Sequence, residues 1–285
     1  MRTTGNRAFT LVELLIVIMI IGILATLVVP AVARVLELAR QSACRSSVRE
    51  LISGMKAYST ATQEMPNVPV SGWNVRIGTN RGSSPFNLDG GGSPPAAKQR
   101  NHSANLWLLL RGEFVPASGF VCAGTEDRPS PRQEDMDDYW DFSSSLDVSY
   151  GMQSPYGYDG SLSILTPEGV VMVADGSPYV QTSYGTNPGA IKTGADLRIA
   201  DWGSGGDGVE LMRRGNSPNH DGQGQNVGFW DGRAEWRTGA ACGRNSDNIY
   251  TATDERGLNE DTATSAGGDL RSGIRNNPYD TLILP

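Results

Sequence analysis

Histidine and cysteine are scarce in this chain of 285 residues, which has two histidines and three cysteines. His220 stands beside Asp221, and such a pair could serve as a metal ligand or a general base. No second nitrogen or sulfur ligand lies at a useful spacing, because His102 is isolated and Cys242 lies further along the chain. We therefore predict that His220 is structural and hydrogen-bonds a neighbouring loop backbone.

Sequence motifs of catalytic chemistry are missing. There is no nucleophile motif and no HExxH sequence, and the glycine-rich stretch at 203–208 lacks the lysine of a phosphate loop. The carboxylates at 134–138 are typical of a solvated loop. We predict that the chain is not an enzyme, and we rank a hydrolase that depends on His220 below the structural readings.

Asp-Gly pairs offer carboxylate oxygens of the kind that calcium binds. They do not form the spaced D-x-[DN]-x-[DN]-G run of an EF-hand, and such pairs are commonly turns. Asp175 and Asp231 are kept as candidate calcium ligands, and no other cofactor is predicted. The four pairs are Asp175-Gly176, Asp207-Gly208, Asp221-Gly222 and Asp231-Gly232.

The three cysteines are too few for a disulfide scaffold, and none lies in a CxxC pair. Outside the cytosol, three cysteines are expected to form one disulfide and leave one free thiol. Any two of the three could pair, which gives three possible disulfides. As a hypothesis we take a bridge between Cys44 and Cys122. It would join a helix to the domain and stabilise the fold by about 2–4 kcal/mol.

Glu13 is a carboxylate at the edge of a long apolar stretch, residues 14–35. At about 1.5 Å per residue, a helix of this length crosses a hydrocarbon core about 30 Å thick. Arg2 and Arg7 precede the stretch, so the positive-inside rule places the N-terminus in the cytoplasm. An ionisable residue at such a place is by default functional, because an unpaired carboxylate is costly in hydrocarbon.

Two simpler interpretations compete for the apolar stretch. Ala31-Val32-Ala33 is an A-x-A site of the kind that ends a secretory signal, although the apolar run exceeds the core of a usual signal peptide. A plain membrane anchor explains the length of the stretch but not Glu13. The periodicity downstream favours a helix that continues beyond the membrane.

Apolar or small residues recur at steps of three and four after the span, which predicts one helix from about Thr10 to about Thr62, ending before Pro66. Its second half is expected to pack on a soluble domain. The residues of this predicted face are Val35, Leu38, Cys44, Val48, Leu51, Ile52, Met55 and Tyr58.

The remainder of the chain predicts an antiparallel sheet packed on the amphipathic half of the helix, an α+β fold. A short helix is expected over 103–111, and strands over 120–122, 146–150, 170–174, 226–230 and 233–236. Asp231-Gly232 predicts a hairpin between the last two strands, with Val227 and Phe229 on one side. The glycine-rich stretch 78–95 and the C-terminal region 245–285 are predicted to be loop and surface coil.

The chain is acidic, with a formal net charge of −7. An acidic protein is a poor electrostatic partner for DNA. We find no basic run with interleaved aromatic residues, so nucleic-acid binding is not predicted.

The sequence Arg7-Ala8-Phe9-Thr10-Leu11-Val12-Glu13 resembles the processing site of type IV prepilins and type II secretion pseudopilins. The resemblance implies that a prepilin peptidase cleaves between Ala8 and Phe9 and methylates the new amino group of Phe9. It also implies that Glu13 pairs with that amine on a neighbouring subunit, and that Pro30 kinks the helix. Ala8 departs from the family, which normally has glycine there. Loss of residues 1–8 would bring the net charge to −9.

A second resemblance lies downstream. Ser217-Pro218-Asn219-His220-Asp221-Gly222 and the following run to Asp231-Gly232 are similar to the "H-x9-DG" signature of large prepilin-like families abundant in planctomycete-type bacteria. Here ten residues separate His220 from Asp231, one more than in the signature. Other stretches similar to blocks of those proteins are 42–48, 120–122, 149–151 and 173–175.

These observations together predict a leader (1–8), a transmembrane half-helix (9–35), an amphipathic half-helix (36–63) and a soluble pilin-like domain (64–285). The expected protein is a structural subunit of a type IV pilus-like or type II secretion pseudopilus filament. It would be anchored in the inner membrane with its domain in the periplasm. The expected partners are the prepilin peptidase, other pilin subunits and the assembly platform. The alternative is a membrane-anchored surface protein that binds calcium or glycans without forming filaments.

Overall fold

The computed structural model describes residues 10–67, 72–74, 99–101, 103–130, 141–142, 145–153, 169–177, 216–243, 249–250 and 283–284. The leader, Phe9, His102, the stretch 78–95 and most of 245–285 lie outside the described residues. The chain forms two compact units, residues 1–40 and 41–285.

One long helix, α1 (Leu11–Thr62), runs for 52 residues and confirms the prediction from periodicity. It stays helical through Pro30 and ends where Gln63 takes a positive φ of 61°. In the first unit its large apolar side chains are exposed, from Leu11 to Leu38. By length and composition this is one helix that could cross a membrane.

In the second unit α1 is buried along one face, which begins at Cys44 and continues through Val48, Leu51, Ile52 and Met55. Val35 and Leu38, which were predicted on this face, are exposed. Then follow the parallel strand pair β1 (Gly72–Asn74) and β2 (Gln99–Asn101), and the helix α2 (Ala104–Arg111). The α2 helix ends at Gly112 as predicted, and its apolar residues Leu106, Trp107, Leu109 and Leu110 are buried.

Among the described residues the main sheet is antiparallel, with five strands in the order β6-β5-β4-β3-β7. The fold is therefore the predicted α+β arrangement, a long N-terminal helix with a small antiparallel sheet. The strands are β3 (Tyr150–Gln153), β4 (Val171–Asp175), β5 (Gln225–Phe229), β6 (Ala234–Arg237) and β7 (Ile283–Leu284).

The α1 helix and the sheet meet closely at Gly228 in β5. A Cβ atom there would lie 2.6 Å from Val48 Cγ1 and 3.0 Å from Ile52 Cγ1, so only glycine lets the helix approach to this distance. Because strand side chains alternate, Val227 and Phe229 share the opposite face, away from α1.

The hairpin between β5 and β6 is confirmed, but its loop differs from the expected two-residue turn. Phe229 N–H donates to Arg233 O and Gly232 N–H donates to Phe229 O, each at 2.9 Å, which closes a three-residue loop. A type I′ turn needs positive φ at both central residues, whereas in this turn only Gly232 has it, at 100°. Asp231 and Gly232 therefore lie in a loop of the bulged type.

Two strand predictions were wrong. Residues 117–120 form a 3-10 turn, and Cys122 N–H donates to the Ser149 hydroxyl at 2.8 Å instead of to a neighbouring strand. Residues 145–147 form another 3-10 turn, so β3 begins only at Tyr150, where pairing with Asp175 starts. The predicted C-terminal coil also contributes a strand, because Ile283 and Leu284 pair with β3.

Candidate functional site

Thr10 and Glu13 form a reciprocal hydrogen-bonded pair at the start of α1. The backbone N–H and the hydroxyl of Thr10 both donate to Glu13 Oε2 at 2.8 Å, and Glu13 N–H donates to Thr10 Oγ1 at 3.2 Å. This is a capping box, in which two otherwise unsatisfied donors of the first helical turn are paired. The T-x-x-E pattern before an apolar run is its sequence signal, and it was missed when Glu13 was treated as an isolated carboxylate.

The capping box gives Glu13 a partner within its own chain. Two of the three bonds are accepted by Glu13 Oε2, and the third is donated by the backbone N–H of Glu13. Glu13 Oε1 accepts no hydrogen bond from the residues that the structure describes. One carboxylate oxygen therefore holds the helix start while the other is exposed. Phe9, whose amine is the expected partner on a neighbouring subunit, lies outside the described residues.

His220 lies in a compact turn that follows the sequence Ser217-Pro218-Asn219. The Ser217 hydroxyl accepts from Asn219 N–H at 3.3 Å, which caps the 3-10 turn at 218–220. Asp221 ends the turn in the left-handed region, with φ of 54°. The side chain of His220 is fully buried.

The imidazole Nε2 of His220 is surrounded by polar and sulfur groups. It lies 3.4 Å from Cys122 Sγ, 3.5 Å from Asn226 Nδ2 and 3.8 Å from Asp175 Oδ2. The Trp236 ring meets the imidazole edge-on, with centroids 5.2 Å apart. These neighbours come from β4, β5, β6 and the 120–122 segment, so the side chain of His220 connects the loop before the hairpin to the sheet.

Asp175 at the end of β4 is the acidic member of this cluster. Its Oδ2 accepts from Asn226 N–H at 2.6 Å, and Tyr250 O–H donates to its backbone carbonyl at 2.8 Å. Burial raises the pKa of Asp175 to about 6, against the lowering effect of the Asn226 N–H and of His220. Its other oxygen, Oδ1, accepts no hydrogen bond from the described part of the chain.

Cys44 and Cys122 form a disulfide, with their Cα atoms 5.0 Å apart, and Cys242 is not in a disulfide. The bridge joins α1 to the segment after the 3-10 turn, as the hypothesis from sequence proposed. Above it, Tyr150 O–H donates to Cys44 O at 3.4 Å. The Sγ atoms of the two cysteines and a ring nitrogen of His220 all lie within 4.8 Å of one another.

Cys44 and Cys122 are therefore the sulfur neighbours of His220, and the spacing of the residues in the sequence did not indicate them. They lie 98 residues away in the case of Cys122 and further still in the case of Cys44, so no local pattern could point to them. The stretches with a resemblance to H-x9-DG blocks meet at this buried cluster: 42–48, 120–122, 149–151, 173–175 and 217–232.

The two candidate calcium ligands lie in different surroundings. Asp231 is at the hairpin loop, where its carboxylate accepts from Arg233 N–H at 2.8 Å and from Arg233 Nε at 2.6 Å. Although desolvation opposes the shift, these bonds and the charge of Arg233 hold the pKa of Asp231 below its usual value. The register places Asp175 and Asp231 at opposite ends of the β4–β5 pair, so they do not share one ion.

Two small residues keep the cluster compact. A Cβ atom at Gly124 would lie 2.5 Å from Asn219 O and 2.9 Å from the His220 ring, and one at Gly176 would lie 3.1 Å from Ser149 O. Asn219 Nδ2 in turn donates to Ser149 O at 2.8 Å. The loop before the hairpin therefore lies close to Gly124 and is hydrogen-bonded to the backbone of Ser149 through the side chain of Asn219.

No curated protein and no solved structure matches the chain. A family model does match its N-terminal part, and the matched residues 3–29 include Ala8, Phe9, Thr10 and Glu13. The model describes the prokaryotic N-terminal methylation motif. The chain thus carries the type IV prepilin signature at its N-terminus.

Proposed function

We propose that the chain is the precursor of a structural subunit of a type IV pilus-like or type II secretion pseudopilus filament. The methylation motif at residues 3–29 carries this proposal, because it includes Phe9 and Glu13 and continues into an exposed apolar helix. In this proposal a prepilin peptidase removes residues 1–8 and methylates Phe9. Residues 9–35 then lie in the inner membrane, and the domain lies in the periplasm.

Assembly in this proposal uses the exposed apolar surface of α1 and the charge of Glu13. The carboxylate pairs through Oε1 with the Phe9 amine of a neighbouring subunit, while Oε2 keeps the bonds to Thr10. Such a pair offsets the cost of a lone carboxylate in a region of low dielectric constant.

The capping box also supports a rival function. If Glu13 serves only to begin the helix, the protein needs no neighbouring subunit and can act as a membrane-anchored surface protein. The two functions differ in whether the charge of Glu13 is required, because glutamine can replace glutamate in a capping box but cannot form an ion pair.

The first test is N-terminal mass spectrometry of the protein from its membrane fraction. A mature chain that begins at methylated Phe9 supports the proposal. A chain that begins at Arg34 or keeps Met1 contradicts it.

The second test compares Glu13→Gln with Glu13→Ala and with wild type in cells that make the chain. We expect both variants to remain in the membrane fraction and to be lost from filaments sheared off the cells or extracted from the periplasm. Filaments that contain Glu13→Gln at the wild-type level would contradict the ion pair. Wild-type protein that never leaves the membrane fraction would favour the anchored surface protein.

A further inference from the structure

We propose that Cys44, Cys122 and His220 form a binding site for zinc or a similar divalent metal when their disulfide is reduced. Two sulfur atoms and one imidazole nitrogen lie within 4.8 Å of one another, and all three residues are buried. Thiolate and imidazole are the ligands that zinc prefers in proteins. The site is independent of the filament function, since it lies wholly in the second unit.

The spacing of one sulfur and the imidazole nitrogen fits neighbouring ligands of a tetrahedral centre. With zinc–sulfur bonds of about 2.3 Å and zinc–nitrogen bonds of about 2.0 Å, neighbouring sulfur and nitrogen ligands are roughly 3.5 Å apart. Cys122 Sγ and His220 Nε2 are 3.4 Å apart. The two sulfurs must separate, and reduction removes the bond that holds them together.

Asp175 lies beside this group but outside the set of three atoms that are within 4.8 Å of one another, so its carboxylate would have to move to act as a fourth ligand. Its Oδ2 lies 3.8 Å from His220 Nε2, and its Oδ1 accepts no hydrogen bond from the described residues. A buried carboxylate in this position carries a desolvation cost that a nearby cation offsets. Asn226, whose backbone N–H binds Asp175 Oδ2, orients the carboxylate as a neighbouring group of a metal ligand does.

The disulfide and the metal exclude each other, so the site responds to redox conditions. A dithiol reductant donates two electrons and two protons to the Cys44–Cys122 bond, which yields two thiols, and is itself oxidised to a disulfide. Metal binding then releases the two thiol protons to solvent.

The test uses the full-length chain in detergent micelles, with Cys242→Ser to remove the third thiol. The chain is reduced with a phosphine and titrated with Co²⁺, which reports thiolate ligation by its charge-transfer absorption and tetrahedral geometry by its visible bands. We expect one Co²⁺ per chain, displacement by Zn²⁺, and no binding before reduction.

Single variants establish which residues bind. Cys44→Ser, Cys122→Ser and His220→Ala should each weaken Co²⁺ binding at least tenfold, whereas Asp221→Asn, next to His220 but outside the cluster, should not. Circular dichroism follows the fold in parallel. If reduction unfolds the chain, restoration of the spectrum by Zn²⁺ supports the site. Binding that survives loss of either cysteine, or a reduced chain that neither binds nor refolds with metal, would overturn it.

Discussion

The imidazole of His220 lies 3.4 Å from the sulfur of Cys122, although 98 residues separate them in the chain. Through the disulfide of Cys122 with Cys44, the same contact connects the loop before the hairpin to α1. Three distant parts of the chain thus depend on one covalent bond and one buried imidazole. The stability of the domain should respond to changes at any of them.

Replacement of both bridge cysteines by serine should lower the free energy of unfolding by about 2–4 kcal/mol, because the disulfide closes a loop of 78 residues in the unfolded chain. Urea unfolding of the full-length protein in micelles measures this difference. Cys242→Ser is the matched control and should leave the midpoint unchanged. Peptide mapping without reductant that recovers Cys44 and Cys122 as separate thiols would contradict the bridge.

The stability contributed by Asp175 should fall as pH rises from about 4 to about 6. Burial raises the pKa of Asp175 from 3.8 to about 6, so the folded chain binds this proton more tightly than the unfolded chain. The stabilisation from this proton is fully present below the pKa of Asp175 in the unfolded chain and is lost above its pKa in the folded chain. The free energy of unfolding should fall by on the order of 3 kcal/mol between these two limits.

Asp175→Asn should remove this pH dependence, which unfolding in urea at several pH values measures as a flatter profile than that of wild type. The control is Asp231→Asn. Since the pKa of Asp231 lies below its usual value, its replacement should leave the slope between pH 4 and 6 as in wild type. An equal slope in Asp175→Asn and wild type would show that Asp175 ionises as freely in the folded chain as in the unfolded one.

Gly228→Ala should destabilise the domain by about 1–3 kcal/mol, because the added methyl group would overlap Val48 of α1. Thermal or urea unfolding monitors the change. Gly239→Ala is the comparison, since a Cβ atom there meets nothing within 4 Å. Similar stabilities for the two variants would mean that α1 can shift away from β5 at little cost.

Thr10→Val should loosen the first turn of α1, whereas Thr10→Ser should preserve it. Only serine keeps the hydroxyl that bonds Glu13, and loss of such a cap costs about 0.5–2 kcal/mol. Amide hydrogen exchange at residues 11–14 in micelles measures the effect as faster exchange in the valine variant. Unchanged exchange in Thr10→Val would show that the membrane environment alone fixes the helix start.

Local patterns predicted the features that depend on local physics. The limits of α1, the end of α2 at Gly112 and the hairpin at Asp231-Gly232 follow from periodicity, a helix terminator and a turn sequence. The prediction of a strand over 120–122 was wrong because the backbone N–H of Cys122 donates to the hydroxyl of Ser149. No residue near Cys122 in the sequence indicates this contact. The surroundings of His220 were missed for the same reason, since its partners come from distant segments.

The position of the disulfide has a mechanical consequence. Cys44 is the first buried residue of α1, ahead of the apolar contacts of Val48, Leu51 and Ile52. Tension that enters the domain along α1 therefore reaches a covalent bond before it reaches any of these contacts. Without the bridge these noncovalent contacts would bear the force one after another, whereas the disulfide passes it directly from Cys44 to Cys122 and so protects them. In an oxidised subunit α1 would stay attached to the domain under pulling forces that detach it when the disulfide is reduced.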